Sequence, residues 1–513
     1  MKNPEVIIVG AGPTGLLLAV ELGLAGVRAV VVERLKQRSG QSKALGIQPR
    51  SAEVLDMRGL LDPLMDRAIQ LVPAGHFAGL RLDFTAWDTR HPYMIGIPQG
   101  RVEALLEDRL GPLGIEVLRG YEVTALTQDG DSVEATLHDP AGDDVRLKGR
   151  YLVACDGGRS TVRELLGIGF PGLDGRLLSV VADITLADPD GAVPETWNLP
   201  VMTPDRTGKG YLAPIGDGVH RFLFYGAEQQ QLSRDTPITE EEVGRALRHT
   251  AGPGVELTGI RWASRFTDAS RQVERYRHGR VLLAGDAAHI HSPMGGQGLN
   301  LGLQDAFNLG WKLAAVIDGR AQDGLIDTYH AERHPVAARV LANTRAQAVL
   351  LVHDEENLAL RDIVSDLLRV PEANRLIAGM ISGLDIRYEL PGRPHTLLGR
   401  RMPDLDLETS DGRVRVGRLL HEGRGLLLTS ADGAEFATIV DAWSGRVRHV
   451  GVHGELGADA VLVRPDGYVG WAGEVGDSTD LVAALNLWAG VPASRDVGTI
   501  DAFCGNPSTA STA

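Results

Sequence analysis

Cysteine is scarce. The 513 residues contain two, Cys155 and Cys504, far apart and without the spacing of a metal-ligand set. No disulfide framework and no metal site are expected, and a reducing, cytoplasmic setting fits. Long apolar runs are missing too: nothing approaches the ~18 uninterrupted apolar residues of a membrane span. Nor is there the charged, apolar leader of a secretory signal, so no membrane association is expected. Basic charge is in deficit. Against 67 acidic residues stand 52 basic ones, for a formal charge of −15, which argues against nucleic-acid binding, since phosphate backbones demand a basic face. Internal repeats and low-complexity tracts are lacking. What remains, 43% apolar and 23% charged, is the composition of a globular enzyme too long for a single core.

The most informative stretch is the first forty residues. Val6 to Val9 reads as a buried parallel strand. Gly10, Gly12 and Gly15 follow at once, with Pro13 and Thr14 between them, then a helix over Leu16 to Ala25 and a second strand over Val27 to Val32. Gly10 makes the tight turn, Gly12 opens the backbone to a pyrophosphate, and Gly15 lets helix and strand pack closely. The helix N-terminus offers free N–H groups to phosphates. Glu33, at the end of the second strand, is placed to accept hydrogen bonds from ribose hydroxyls. The complete unit predicts dinucleotide binding.

Further along, Ser51 to Met57 reads as a helix capped by Ser51, and Arg101 to Leu110 as another. Tyr151 to Cys155 is a short apolar strand running into Asp156-Gly157-Gly158-Arg159-Ser160. From about 177 to 266 the pattern changes to strands with glycine-rich connections, over Val180 to Leu186, Gly210 to Pro214 and Arg221 to Tyr225. This reads as a mostly antiparallel sheet on the substrate side. A strand ending in Gly285-Asp286 then resumes the nucleotide unit. It leads through Pro293-Met-Gly-Gly-Gln297-Gly298-Leu299-Asn300 into a long helix. Pro391 to His395 reads as a linker, the stretch beyond it as a compact α/β unit, and the tail from Cys504 to Ala513 as frayed.

With Asp156-Gly157 and Gly285-Asp286 added to the first unit, the chain resembles the group A FAD-dependent aromatic monooxygenases. These are the para-hydroxybenzoate hydroxylase-like enzymes, and among them the hydroxylases of aromatic polyketides such as angucyclines. The resemblance runs over nearly the whole length. It implies an α/β fold: a Rossmann-like FAD-binding domain (1–75, 97–173 and 274–390) interrupted by a mostly antiparallel substrate domain (76–96 and 174–273). A C-terminal thioredoxin-like domain (396–513) follows, in which the absence of Cys-x-x-Cys excludes thiol redox chemistry.

The resemblance also assigns residues. Gly10, Gly12, Pro13, Thr14, Gly15, Glu33 and Arg34 fall on the ADP half of FAD, Gln99 near the flavin, and Val123 on the adenine side. Asp156 belongs to a motif associated with FAD and NADPH, and Asp286 to one that holds the ribityl chain; the alternative for Asp286 is a helix cap. Pro293, Gly298, Leu299 and Asn300 form the loop against the isoalloxazine. Relatives usually carry Arg where this chain has Lys43, which trades a planar fork for a point charge; Arg50 is a nearby substitute, with a surface helix position as the alternative. Arg159 and Arg163 read equally as exposed helix positions. No general base is assigned: His289, His291, Pro293 and Gln297 lie at the flavin loop, and structural roles for both histidines are the simpler reading. Trp197, Phe222, Phe224 and Tyr225 are candidates to stack on a polycyclic substrate, with core packing as the alternative for the Phe pair.

The implied chemistry is transfer of one oxygen atom of O2 to a polycyclic aromatic polyketide through a flavin C4a-hydroperoxide, FAD being reduced by NADPH or NADH. Baeyer–Villiger oxygenation of a ketone and inactivation of an antibiotic are close alternatives, and a flavin-binding scaffold without turnover is a distant one. The Trp-x-Trp-x-Ile-Pro motif of flavin halogenases is absent. A homodimer is implied by the family alone.

Overall fold

A computed structural model describes residues 3–193, 195–197, 210–351, 355–430 and 435–492; Cys504 and the tail expected to fray lie outside them. Strand β1 (Val6–Val9) is buried throughout. Helix α1 (Pro13–Leu24) begins earlier than the glycine pattern suggests, because Pro13 at its first position has the right φ and no N–H to satisfy. β2 (Ala29–Glu33) follows, then β3 (Glu116–Arg119) and β4 (Tyr151–Ala154). Past an inserted sheet of β5 (Leu178–Ala187), β6 (Tyr211–Gly216), β7 (Val219–Phe224) and β8 (Glu256–Thr267) come β9 (Arg277–His278) and β10 (Val281–Leu283). The nucleotide-type sheet has six strands in the order β9-β10-β4-β1-β2-β3, all parallel except β9. The continuous Val/Ile/Leu runs of β1, β2 and β10 are what a parallel sheet covered on both faces requires.

The inserted sheet is antiparallel throughout, in the order β6-β7-β5-β8. Its long edge strand β8 and the helix α2 (Glu240–Ala251) that covers it go beyond the elements expected from the sequence. α2 opens on Thr239, whose hydroxyl accepts from the Glu242 N–H at 3.2 Å. Val243 and Leu247 then pack on Val180, Ala182, Ile184, Phe222 and Phe224. Both sheets belong to one compact unit, with the long helices α3 (Gly298–Ile317) and α4 (Gly324–Val349) contributing up to 314 and from 326. The expected helix at Ser51 runs Pro49–Asp56, so Ser51 sits in the first turn and does not cap it.

The second compact unit comprises 315–325 and the chain from Arg387. It holds β11 (Gly425–Thr429), helix α5 (Glu435–Val440), β12 (Val447–Gly451), β13 (Ala460–Val463), β14 (Val469–Gly473) and helix α6 (Ser478–Trp488). The sheet order is β12-β11-β13-β14, with β11 parallel to β12 and the other neighbours antiparallel.

Candidate active site

Three loops leave the same end of the parallel sheet from neighbouring strands: Gly10 after β1, Asp156 after β4, and Gly285-Asp286 after β10. Val9 pairs with Ala154, and Ala154 with Leu283, so the loops start level. Such strand ends are where open α/β sheets bind ligands. The glycines here are of two kinds. Gly10 has φ +107°, and a Cβ on it would lie 2.7 Å from the Cys155 carbonyl carbon; a Cβ on Gly15 would collide with the Gly10 carbonyl oxygen. These two allow backbone to pack on backbone. Gly12 and Gly157 face open space, with nothing within 4 Å of the point where a Cβ would stand. Glu33 bends back over the loop: its Oε2 accepts from the Ala11 N–H and its Oε1 from the Leu35 N–H, each at 2.9 Å. Arg34 and Lys43 are exposed. Arg50 is no substitute for Lys43, since it is 2% exposed and bonded to Glu53 at 2.8 Å.

Asp156 accepts from the Val162 N–H at 3.1 Å through Oδ2, while its Oδ1 is buried with no partner. Burial pushes its carboxyl pKa up. Arg159 is exposed, whereas Arg163 is buried, donating to the carbonyls of Ala287 (3.0 Å) and Gly158 (2.8 Å). The exposed-helix reading of Arg163 is therefore corrected: it ties the Asp156 loop to the Asp286 loop. Asp286 is exposed and caps no helix. Gly285 takes φ +59°, leaning on Thr14.

The Pro293 loop turns through Gly295 (φ +74°) and Gly296 (φ +63°) before α3 begins at Gly298 and Leu299. Asn300 locks it: Nδ2 donates to the carbonyls of Gly296 (2.8 Å) and Gly46 (3.1 Å), and Oδ1 accepts from the Gln48 N–H at 2.8 Å. Gln297 is buried and donates to Asn343 Oδ1 at 3.4 Å. Gln99 accepts from the Ala44 N–H at 3.2 Å and donates to Glu103 at 2.8 Å, and Val123 is buried in the strand Glu122–Gln128. His291 bonds the Ser292 carbonyl at 2.7 Å through Nδ1, leaves Nε2 buried and unpartnered, and has its pKa lowered by burial.

His289 has the partner its sequence neighbourhood does not reveal. Nε2 lies 2.6 Å from Asp305 Oδ2, and Arg333 Nε lies 2.8 Å from Oδ1 of the same carboxylate, all wholly buried. Asp305 also accepts from the Gly285 N–H at 3.2 Å. A sequence signal exists: Asp305 is a charge inside the apolar run Leu301, Leu303, Ala306, Phe307, Leu309, and a buried charge requires partners.

On the substrate side, Phe222 and Phe224 stack on each other at 4.8 Å within the core under α2. They are corrected from substrate candidates to core: one strand's alternation shows that they share a face, not which face. Phe222→Ala is expected to cost about 3–5 kcal/mol of stability and to leave the KM for substrate unchanged, read by urea unfolding and steady-state assay. The opposite face carries Val181, Tyr211 and Leu223, all partly exposed, and Tyr225 follows at the strand end. Trp197 is buried against Gly96, its backbone N–H bonded to Gln70 Oε1 at 2.9 Å and its indole N–H to the Pro214 carbonyl.

A dinucleotide-type site at parallel strand ends, a second strand-end aspartate and a glycine loop locked to a long helix define a flavoprotein oxidoreductase. Residues 3–344 match the FAD binding domain family and residues 395–492 the aromatic-ring hydroxylase C-terminal domain, and the chain belongs to this family of flavin-dependent monooxygenases. It is 48% identical over 502 residues to 12-dehydrotetracycline 5-monooxygenase/anhydrotetracycline 6-monooxygenase of Streptomyces rimosus, covering 95% of this chain and 99% of that one. It is 45% identical over 491 residues to the rifampicin monooxygenase of Streptomyces venezuelae, covering 95% and 98%. Among solved structures, an aromatic hydroxylase from angucycline biosynthesis superposes with a TM-score of 0.85 at 43% identity, over 96% of this chain and 100% of that one. The resemblance to polyketide hydroxylases thus holds.

Proposed function

We propose that this monooxygenase hydroxylates a polycyclic aromatic polyketide, using FAD held by the three strand-end loops and NADPH or NADH as reductant. The observation that carries the cofactor reading is the open space and unused hydrogen-bonding capacity at the strand ends. Gly12 and Gly157 border open space, Asp156 Oδ1 is buried without a partner, and Asp286 is exposed beside them. Glycine-lined room for a pyrophosphate and carboxylates for hydroxyl groups fit a dinucleotide. Bound FAD would supply the redox chemistry, taking reducing equivalents from the nicotinamide and activating O2. The protein's own part is orientation and exclusion of water. Glu33 would take ribose hydroxyls, Asp286 the ribityl chain, and the N–H groups at Gly298 to Asn300 would sit at the positive end of α3. The polyketide class is supported by the activities of the relatives and by the partly exposed face of Tyr211, Leu223 and Tyr225. The strand order of the second unit, with a helix between its two parallel strands and another after the last, supports a thioredoxin-like domain.

The test is NADPH and NADH consumption by the purified protein with a panel of tetracycline-, rifamycin- and angucycline-type polyphenols under isotope-labelled O2. A substrate that accelerates consumption and gains one labelled oxygen on a ring carbon is expected. A lactone product would move the reading to Baeyer–Villiger oxygenation, and a protein that cannot bind FAD would overturn it.

A further inference from the structure

A buried ion pair crosses two strands of the substrate sheet and reaches beyond it. Asp183 of β5 and Arg221 of β7 are direct cross-strand partners. Arg221 Nε lies 2.6 Å and Nη2 3.2 Å from the two Asp183 oxygens, with side chains 4% and 10% exposed. Replacing such a pair by apolar residues is often neutral or stabilising, so its burial is weak evidence of a stabilising role. Its remaining contact points elsewhere: Arg221 Nη2 also donates to the carbonyl of Ser42. Ser42 opens the segment 42–45. On its other side, that segment is held by the start of the helix Gln99–Asp108. The Gly100 N–H donates to Ser42 Oγ at 3.1 Å, the Ala44 N–H to Gln99 Oε1 at 3.2 Å, and the Gln99 N–H to the Ala44 carbonyl at 3.0 Å. Lys43 stands exposed in the middle of this clamp.

We propose that Arg221, oriented by Asp183, is a positioning residue that fixes the Lys43-bearing segment for the cofactor and ties it to the face of the sheet that meets the substrate. This rests on the FAD reading above. The fork of a guanidinium is what the task requires, since one edge must grip a carboxylate while a further N–H reaches a carbonyl; a lysine cannot do both with fixed geometry. Asp183, Arg221 and Trp262 lie in line across three strands, with the guanidinium 5.6 Å from the Trp262 ring. A substrate lying on this face therefore bears on the same group that holds Ser42.

The same sheet supplies a matched control. On the opposite face, Arg265 grips Glu242 through contacts of 2.9 and 2.6 Å, with side chains 1% and 5% exposed, and bonds the carbonyls of Thr236 and Pro237 rather than the 42–45 segment. Asp183→Asn and Arg221→Lys are to be compared with Glu242→Gln and Arg265→Lys by FAD dissociation constant from flavin fluorescence, substrate-stimulated over basal NADPH consumption, and urea midpoint. Loss of the charged hydrogen bonds at Arg221 is expected to weaken FAD about ten-fold or more and to lower the stimulation ratio. The Glu242 and Arg265 variants should lose stability only. Equal effects of both pairs on FAD, or none from the first, overturn the proposal while leaving the FAD reading intact. Failure of the unaltered protein to bind FAD overturns both.

Discussion

Alanine at Gly15 is expected to abolish the folded protein, while alanine at Gly12 keeps the fold and loses the cofactor. The difference lies in what each new methyl meets. At Gly15 it collides with the Gly10 carbonyl oxygen and comes within 3.2 Å of Cys155 Cβ. One is backbone and the other the first side-chain carbon of Cys155, so neither can rotate away as a side-chain tip would. Overpacking against fixed backbone at this depth should cost about 4 kcal/mol or more. Gly12 has φ −79° and ψ 177°, a conformation alanine adopts without strain, and its methyl enters open space. That space is where a pyrophosphate must approach the first turn of α1. Urea midpoints and flavin-to-protein absorbance ratios separate the two. A Gly12→Ala protein with full flavin content would show that the phosphates lie elsewhere.

Much of this is legible in the sequence because the residues involved act locally. The Gly10 to Glu33 unit needs only the order strand, glycines, helix, strand, and each of these is written in neighbouring residues. Gly285-Asp286 is legible for the same reason, as a short apolar strand ending in a turn. Boundaries move where one residue outweighs the pattern: Pro13 draws α1 forward, and Pro49 does the same for the helix expected to start at Ser51.

The illegible part depends on partners distant in sequence. Phe222 and Phe224 alternate correctly, yet which face is closed depends on α2, whose capping and amphipathic pattern marks a helix but not the face of the sheet it covers. Once α2 seals one face, Arg221 and Leu223 must occupy the other, which is where the segment 42–45 lies. Arg163 and Arg50 read as surface positions because charged helix residues usually are. The Arg163 acceptor at Ala287 exists only in the folded chain, and the i,i+3 spacing of Arg50 and Glu53 does not disclose that both are buried. Lys43 stands out as a departure, but what grips its neighbour is Arg221, far along the chain. Motif residues can therefore be read from the sequence, and so can a lone charge in an apolar run such as Asp305, but the partners that hold them come from distant segments.

The clearest such group is Asp305, and Asp305→Asn is expected to cost about 3–5 kcal/mol, because it removes a counter-charge at 2.8 Å from a wholly buried Arg333. An asparagine has one acceptor oxygen where the carboxylate serves His289, Arg333 and the Gly285 N–H from two. The loss should carry a pH signature. Burial alone would raise the Asp305 pKa, but the Arg333 charge and then His289 overcome it, and the net shift is downward. A carboxyl whose folded pKa is depressed contributes stability above its unfolded pKa, about 3.9, and loses it as pH falls through the folded value. The stability gap between unaltered protein and variant should thus be full at neutral pH and narrow below about pH 4. Urea unfolding across that window reads it, and a gap independent of pH would mean that Asp305 acts through packing rather than charge. The variant also frees the Gly285 N–H at the turn that presents Asp286. Flavin affinity should therefore fall even at neutral pH, where the fold survives, because the turn that aims Asp286 has lost its anchor.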